Sequence, residues 1–139
     1  MDIILDDENQ RIYGEEVVTY FNNSPDDLEY LWVQLDQNIR APDAKTADVK
    51  ADGASSMYNP KKFTEQFLGK PFPGGFHIDH VKNIEDRDMD YTINGTMMRI
   101  DLPKVLSSGE KVSFKIKWWY NIPNHVIDGG RSGYEHFAD

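Results

Sequence analysis

The chain has 139 residues, of which 39% are hydrophobic and 12% aromatic, a formal charge of −9 and no cysteine. That length and apolar content suit one folded domain burying roughly two-thirds of its unfolded surface, and they exclude a disordered chain. The acidic excess argues against a nucleic-acid binder, which sets clustered Lys and Arg against phosphate. Without cysteine there is neither a disulfide framework nor a thiolate zinc site.

The N-terminus lacks the basic flank and long apolar run of a signal peptide, with Asp2, Asp6 and Asp7 close to the start. No apolar run anywhere is long enough to span a membrane, so no membrane span is expected. The chain enters a strand within its first residues, and the expectation is that the natural protein begins earlier. Ile3, Ile4 and Leu5 lead into an acidic turn, then a β-rich run over 12–21. A second turn, Asn22-Asn23-Ser24-Pro25-Asp26-Asp27, leads into a run over 28–35. Asn, Ser, Pro and Asp bend a chain by bonding their own backbone or fixing φ. Three strands joined by such short turns read as an antiparallel meander. Strand side chains alternate between faces, so Leu31, Val33 and Leu35 share one side and Tyr30 and Trp32 the other. Apolar residues on both sides predict an interior strand or one packed on a neighbour.

Residues 38–75 lose this period and form a loop-rich excursion with turn residues at Pro42, Gly53, Pro71 and Gly74. Within it, 59–69 can hold two helical turns between Pro60 and Gly69, packed by Phe63, Phe67 and Leu68. Excursions of this length are usually functional or in contact with something. Strand pattern returns over 77–82. Asn94-Gly95 between β-formers predicts a hairpin with positive φ at both positions. Beyond it Met98, Ile100 and Leu102 face one way, opposite Met97, Arg99 and Asp101, and Pro103 ends the strand because it has no N–H to donate. The clearest alternation follows: Val112, Phe114, Ile116, Trp118 and Tyr120 inward, Lys111, Ser113, Lys115 and Lys117 outward. About seven strands predict an all-β fold, an antiparallel β-sandwich, in a single domain over 1–139. The tail, 121–139, has no period, and its Tyr134 and Phe137 read as side chains awaiting a surface.

Chemistry-bearing residues are sparse. His77 and Asp79 share a strand face by alternation, and His80 points away. At most two therefore converge, short of the three ligands that catalytic zinc requires. Asp86, Asp88 and Asp90 begin like a calcium loop, but Tyr91 stands where Gly is needed and Met97 where a bidentate Glu belongs. The serines sit on no strand-to-helix elbow, and Gly129-Gly130-Arg131-Ser132-Gly133 lacks the Lys and the helix of a phosphate loop. No catalytic or metal-ligating residue is assigned. Trp119, next to inward-facing Trp118, is read as an outer aromatic that packs on a neighbouring domain or stacks a sugar.

Ile12-Tyr13-Gly14, Asn22-Asn23-Ser24-Pro25, the Leu-rich run over 28–35 and the stretch from Leu102-Pro103 to Tyr120 together resemble one family. It is the N-terminal domain of zinc aminopeptidases of the aminopeptidase N-like (gluzincin) family, and the long insertion and Gly-Arg-rich tail look most like its bacterial branch. The family's His-Glu-x-x-His zinc motif and Gly-x-Met-Glu-Asn exopeptidase motif are absent from this sequence; in the family both lie in a following domain. The family's Gln or Glu that holds the substrate amine is expected just beyond Asp139. The resemblance therefore implies a non-catalytic domain that packs on the catalytic domain of the same polypeptide and helps wall the peptide-substrate cavity. It implies zinc in the parent enzyme and none in this part. Trp119, Arg131, Tyr134 and Phe137 are the candidate interface or cavity residues. A periplasmic or cell-envelope setting is favoured over the cytoplasm. The alternatives are a free-standing module binding carbohydrate or protein through Trp32, Trp119 and the excursion, and a hydrolase built on His77, Asp79 and His80.

Overall fold

A computed structural model describes residues 1–44, 72–125 and 133–135. They form seven strands: β1 (Asp2–Asp6), β2 (Arg11–Phe21), β3 (Leu28–Gln34), β4 (His77–Asn83), β5 (Tyr91–Asn94), β6 (Met97–Leu106) and β7 (Lys111–Asn121), with a short 3-10 turn at Asp36–Arg40. The fold is all-β, and every strand pair is antiparallel. One sheet has the order β1-β2-β7-β4 and the other β3-β6-β5. The helix expected over 59–69, with Phe63, Phe67 and Leu68, lies outside the described residues.

The opening three strands are not a meander. β1 and β2 form a hairpin, but β3 crosses into the other sheet. The turn between β2 and β3 is held by Asn22, which is fully buried. Its side-chain nitrogen donates to the carbonyls of Asp26 (2.8 Å) and Leu106 (3.0 Å), and its oxygen accepts from the Ser24 amide and hydroxyl. Its backbone bonds both Glu110 and Gly109 of the β6–β7 turn. One amide side chain thus bends the chain between sheets and fastens that bend to the second crossing.

β3 also lies at a sheet edge, against the interior place expected from its two apolar faces. Leu31 and Leu35 are buried as the alternation requires, whereas Tyr30 and Trp32 stay exposed. Pro103 does not end β6. Four residues, 102–105, stand opposite Glu29 alone, and the strand runs on to Leu106. A proline with no N–H to give is accommodated in such an irregularity. The β5–β6 hairpin forms one residue later than expected. Asn94 pairs with Met97, so Gly95 and Thr96 make the turn, and of these Gly95 has positive φ (58°). That is the two-residue turn with glycine first, which matches the twist of the strands.

Leu31, Leu35, Val81, Met89, Met98, Ile100, Phe114 and Ile116 form one core drawn from both sheets. The inward residues of β6 and β7 are those the alternation selects. The sheets cover each other only in part. Cross-strand register puts Leu5, Ile12 and Tyr120 in one inward row and Ile3, Gly14, Trp118 and Ile78 in the next. Ile3 and Leu5 are nevertheless 58% and 61% exposed.

Candidate functional site

The outer face of the four-stranded sheet carries Trp119. Its register neighbours are Tyr13 on β2 and His77 on β4. The His77 imidazole lies parallel to the indole at 3.8 Å, and the Arg11 guanidinium lies over it at 4.6 Å. Two planar groups at those distances cannot share one side of the ring, and they come from opposite neighbouring strands. They bracket it. Asn121 accepts from Arg11 Nε at 3.0 Å and fixes that cation in place. Trp119 is therefore a half-buried ring braced by His77 and Arg11.

A bulge in β4 revises the histidine geometry. His77 pairs with Trp119 and Ile78 with Trp118, but His80, not Asp79, pairs with Lys117. Asp79 is the extra residue, so His77 and His80 share the outer face, contrary to strict alternation. That face also carries Arg11, Lys117 and Lys82, cations that disfavour a metal ion. Among the described residues no group of three or more His, Asp or Glu side chains is placed to hold a metal.

The acidic turn after β4 has a structural role. Asn83 Oδ1 accepts from the amides of Glu85 and Arg87, and Asp86, at positive φ (60°), pairs with Lys115 at 2.9 Å. The Lys115 hydrogen bond holds the Asp86 carboxyl below its ordinary value. Nothing there aims a carboxylate pair at a common point.

The inward face near β1 is different. Phe76 meets Trp118 and Tyr120 edge-on, each at 5.2 Å between centroids. The Trp118 indole N–H donates to Glu16 at 3.3 Å, and burial pushes the Tyr120 phenol above its ordinary value. The Trp118 ring lies flat on Gly14, where an added Cβ would come within 2.2 Å of it. Only glycine permits that approach, which gives the Ile12-Tyr13-Gly14 step a packing reason. Phe76 and Trp118 pack against the core, while Ile3 and Leu5 in the same inward rows stay exposed among the described residues.

Of the candidate residues, Tyr134 is half-buried and its backbone is tied to Pro123 and His125 by hydrogen bonds of 3.0 Å each, beside Asn124. The tail thus returns to the end of β7 at this point. Arg131 and Phe137 lie outside the described residues. Trp118 packs against the core as its inward face requires; what sequence reasoning missed is Phe76, whose ring meets both Trp118 and Tyr120. Asn38 was also missed: it is buried, donates to the Gly95 carbonyl and accepts from the Phe76 amide, so it sets the chain's re-entry at this surface. No family model, curated protein or solved structure matches the chain.

Proposed function

We propose that this chain is the non-catalytic N-terminal domain of a zinc-dependent aminopeptidase. It packs on the catalytic domain of the same polypeptide and helps wall the cavity that receives the peptide substrate. One observation supports the reading: Ile3 and Leu5, in the same inward rows as Trp118 and Tyr120, are 58% and 61% exposed among the described residues. Exposed apolar surface of this kind is a mark of contact with another domain or protein. The contact commits Trp118 and Tyr120 rather than Trp119, whose ring is already occupied on both sides.

The chain supplies a wall and no reacting group in this reading. Purified chain with added zinc is expected to leave aminoacyl-nitroanilides uncleaved, and zinc-dependent turnover would overturn the proposal. Reading the source gene beyond the codon for Asp139 tests it independently. A His-Glu-x-x-His motif with a downstream Glu is expected within a few hundred codons, and a stop codon immediately after Asp139 counts against it.

A further inference from the structure

A second opening lies along β3, on the acidic side of the molecule. β3 is hydrogen-bonded to β6 alone among the described strands, so alternate N–H and C=O groups along it point to a side that no described strand fills. Its residues 30–34 hold regular register with 97–101 of β6, which keeps this stretch of edge straight. β2 passes the same opening. β1 pairs only with residues 11–15 of β2, leaving 16–21 joined to β7 alone. Between the two strands runs a groove of about 670 Å³ with Val18, Leu31 and Val33 inside and Asp27, Glu29 and Trp32 on its rim.

The segment that supplies most of the groove's lining carries charge of one sign. From 12 to 39 the chain carries Glu15, Glu16, Asp26, Asp27, Glu29 and Asp36 and not one Lys, Arg or His. Asp27 and Glu29 form no ion pair among the described residues. Exposed strand edges are usually guarded by lysine, proline or a bulge. Here the one irregularity stands at Glu29, and the stretch beyond it has no such guard. Tyr30 meets Trp32 edge-on while Arg99 lies over Tyr30 and bonds Asp101, which leaves Trp32 53% exposed beside the groove.

We propose that this groove binds one extended segment of a partner protein, in which β-branched apolar residues alternate with Lys or Arg, as an added strand on β3. Main-chain bonds to the edge supply the register. The alternate apolar side chains settle on Val18, Leu31 and Val33. The cations between them point outward to Asp27, Glu29 and the Trp32 ring, through charge-assisted bonds and cation–π contact. The inference is independent of the aminopeptidase reading, since it concerns the opposite end of β2 from the Trp118 surface.

The test is fluorescence anisotropy of a labelled peptide, Lys-Val-Arg-Ile-Lys-Val-Lys, titrated with the intact chain. Its control replaces every cation with Glu. Saturable one-to-one binding of the basic peptide is expected, at least about tenfold tighter than the control. It should weaken several-fold as salt rises from about 0.05 to 0.5 M. The exposed double substitution Asp27→Lys, Glu29→Lys should weaken it about tenfold or more, with an unchanged circular dichroism spectrum verifying the fold. Amide shifts should map to residues 28–34. Equal affinity for both peptides, an unaffected double variant, no binding of the basic peptide, or shifts on the lysine face of β7 would each overturn the proposal. So would sedimentation showing a dimer of the chain that buries β3, because the occupant would then be a second copy.

Discussion

Strand β7 runs through two environments with one pattern. Phe114 and Ile116 face inward beneath Met98 and Ile100 and are almost wholly buried. Trp118 and Tyr120 continue the same alternation on the same face and are only partly buried, in rows that end at exposed Ile3 and Leu5. Alternation reports which way a side chain points. Coverage depends on whether a strand of the other sheet lies opposite, and three strands do not span the width of four. In a small all-β domain, the place where facing and coverage part is the place to look for a contact surface.

The largest effect should come from the covered half. Phe114→Ala is expected to cost about 3–5 kcal/mol in urea unfolding, through lost transfer energy and a cavity. Leu5→Ser, on the same face at the open end, should change stability by about 0.5 kcal/mol or less. Equal losses would mean that the two halves are covered alike. Next is Asn22→Ala, which removes the side-chain donor to the Leu106 carbonyl and one of two side-chain donors to that of Asp26, and should cost about 2–3 kcal/mol by the same assay. Gly14→Ala places a methyl against the Trp118 ring and should cost about 1–3 kcal/mol, with a visible change in near-ultraviolet circular dichroism. A neutral Gly14→Ala would mean that the indole is free to leave the open surface.

The smallest effect concerns pH and the exposed turns. The Asn9 side chain holds Asp6 below its ordinary value of 3.8, and the Lys115 hydrogen bond does the same for Asp86. The Ser107 amide holds Glu110 below its ordinary 4.5. Depressed folded-state values mean that the unfolded chain takes up protons first as pH falls. The stabilisation is complete above those ordinary values and is lost as pH drops through the folded-state ones. Lys115→Met should therefore flatten the acid side of the stability curve between about pH 5 and pH 2. An unchanged acid slope would show that the Lys115–Asp86 pair contributes nothing measurable.

Much of this fold was legible in the sequence because strands announce themselves locally. The inward sets on β6 and β7, and Leu31 with Leu35 on β3, follow from a period of two. Sheet membership did not, because nothing local in 22–27 distinguishes a turn within a sheet from a crossing between sheets. That decision rests on Asn22 meeting Leu106, 84 residues away. The bulge at Asp79 was likewise hidden. It moves His80 to the outer face, and only pairing with β7 reveals it. For the candidate site, Trp119 was found but its bracketing by Arg11 and His77 was not, since both partners arrive from distant strands. Trp118 and Tyr120 lie on the face that alternation gives them, and Trp118 packs against the core; the exposure of Ile3 and Leu5 in the same rows is what a pattern does not carry.

The pairing of β2 with β7 has a consequence for synthesis. Arg11 bonds Asn121 across 110 residues, so the central pair of the larger sheet waits until β7 has been made. At roughly 5–20 residues per second, that is a delay of several seconds or more. During it the β1–β2 hairpin stands with Ile3, Ile4 and Leu5 on its surface and no neighbour along β2. The nascent chain is most vulnerable to wrong partners through the same residues that the finished domain leaves open.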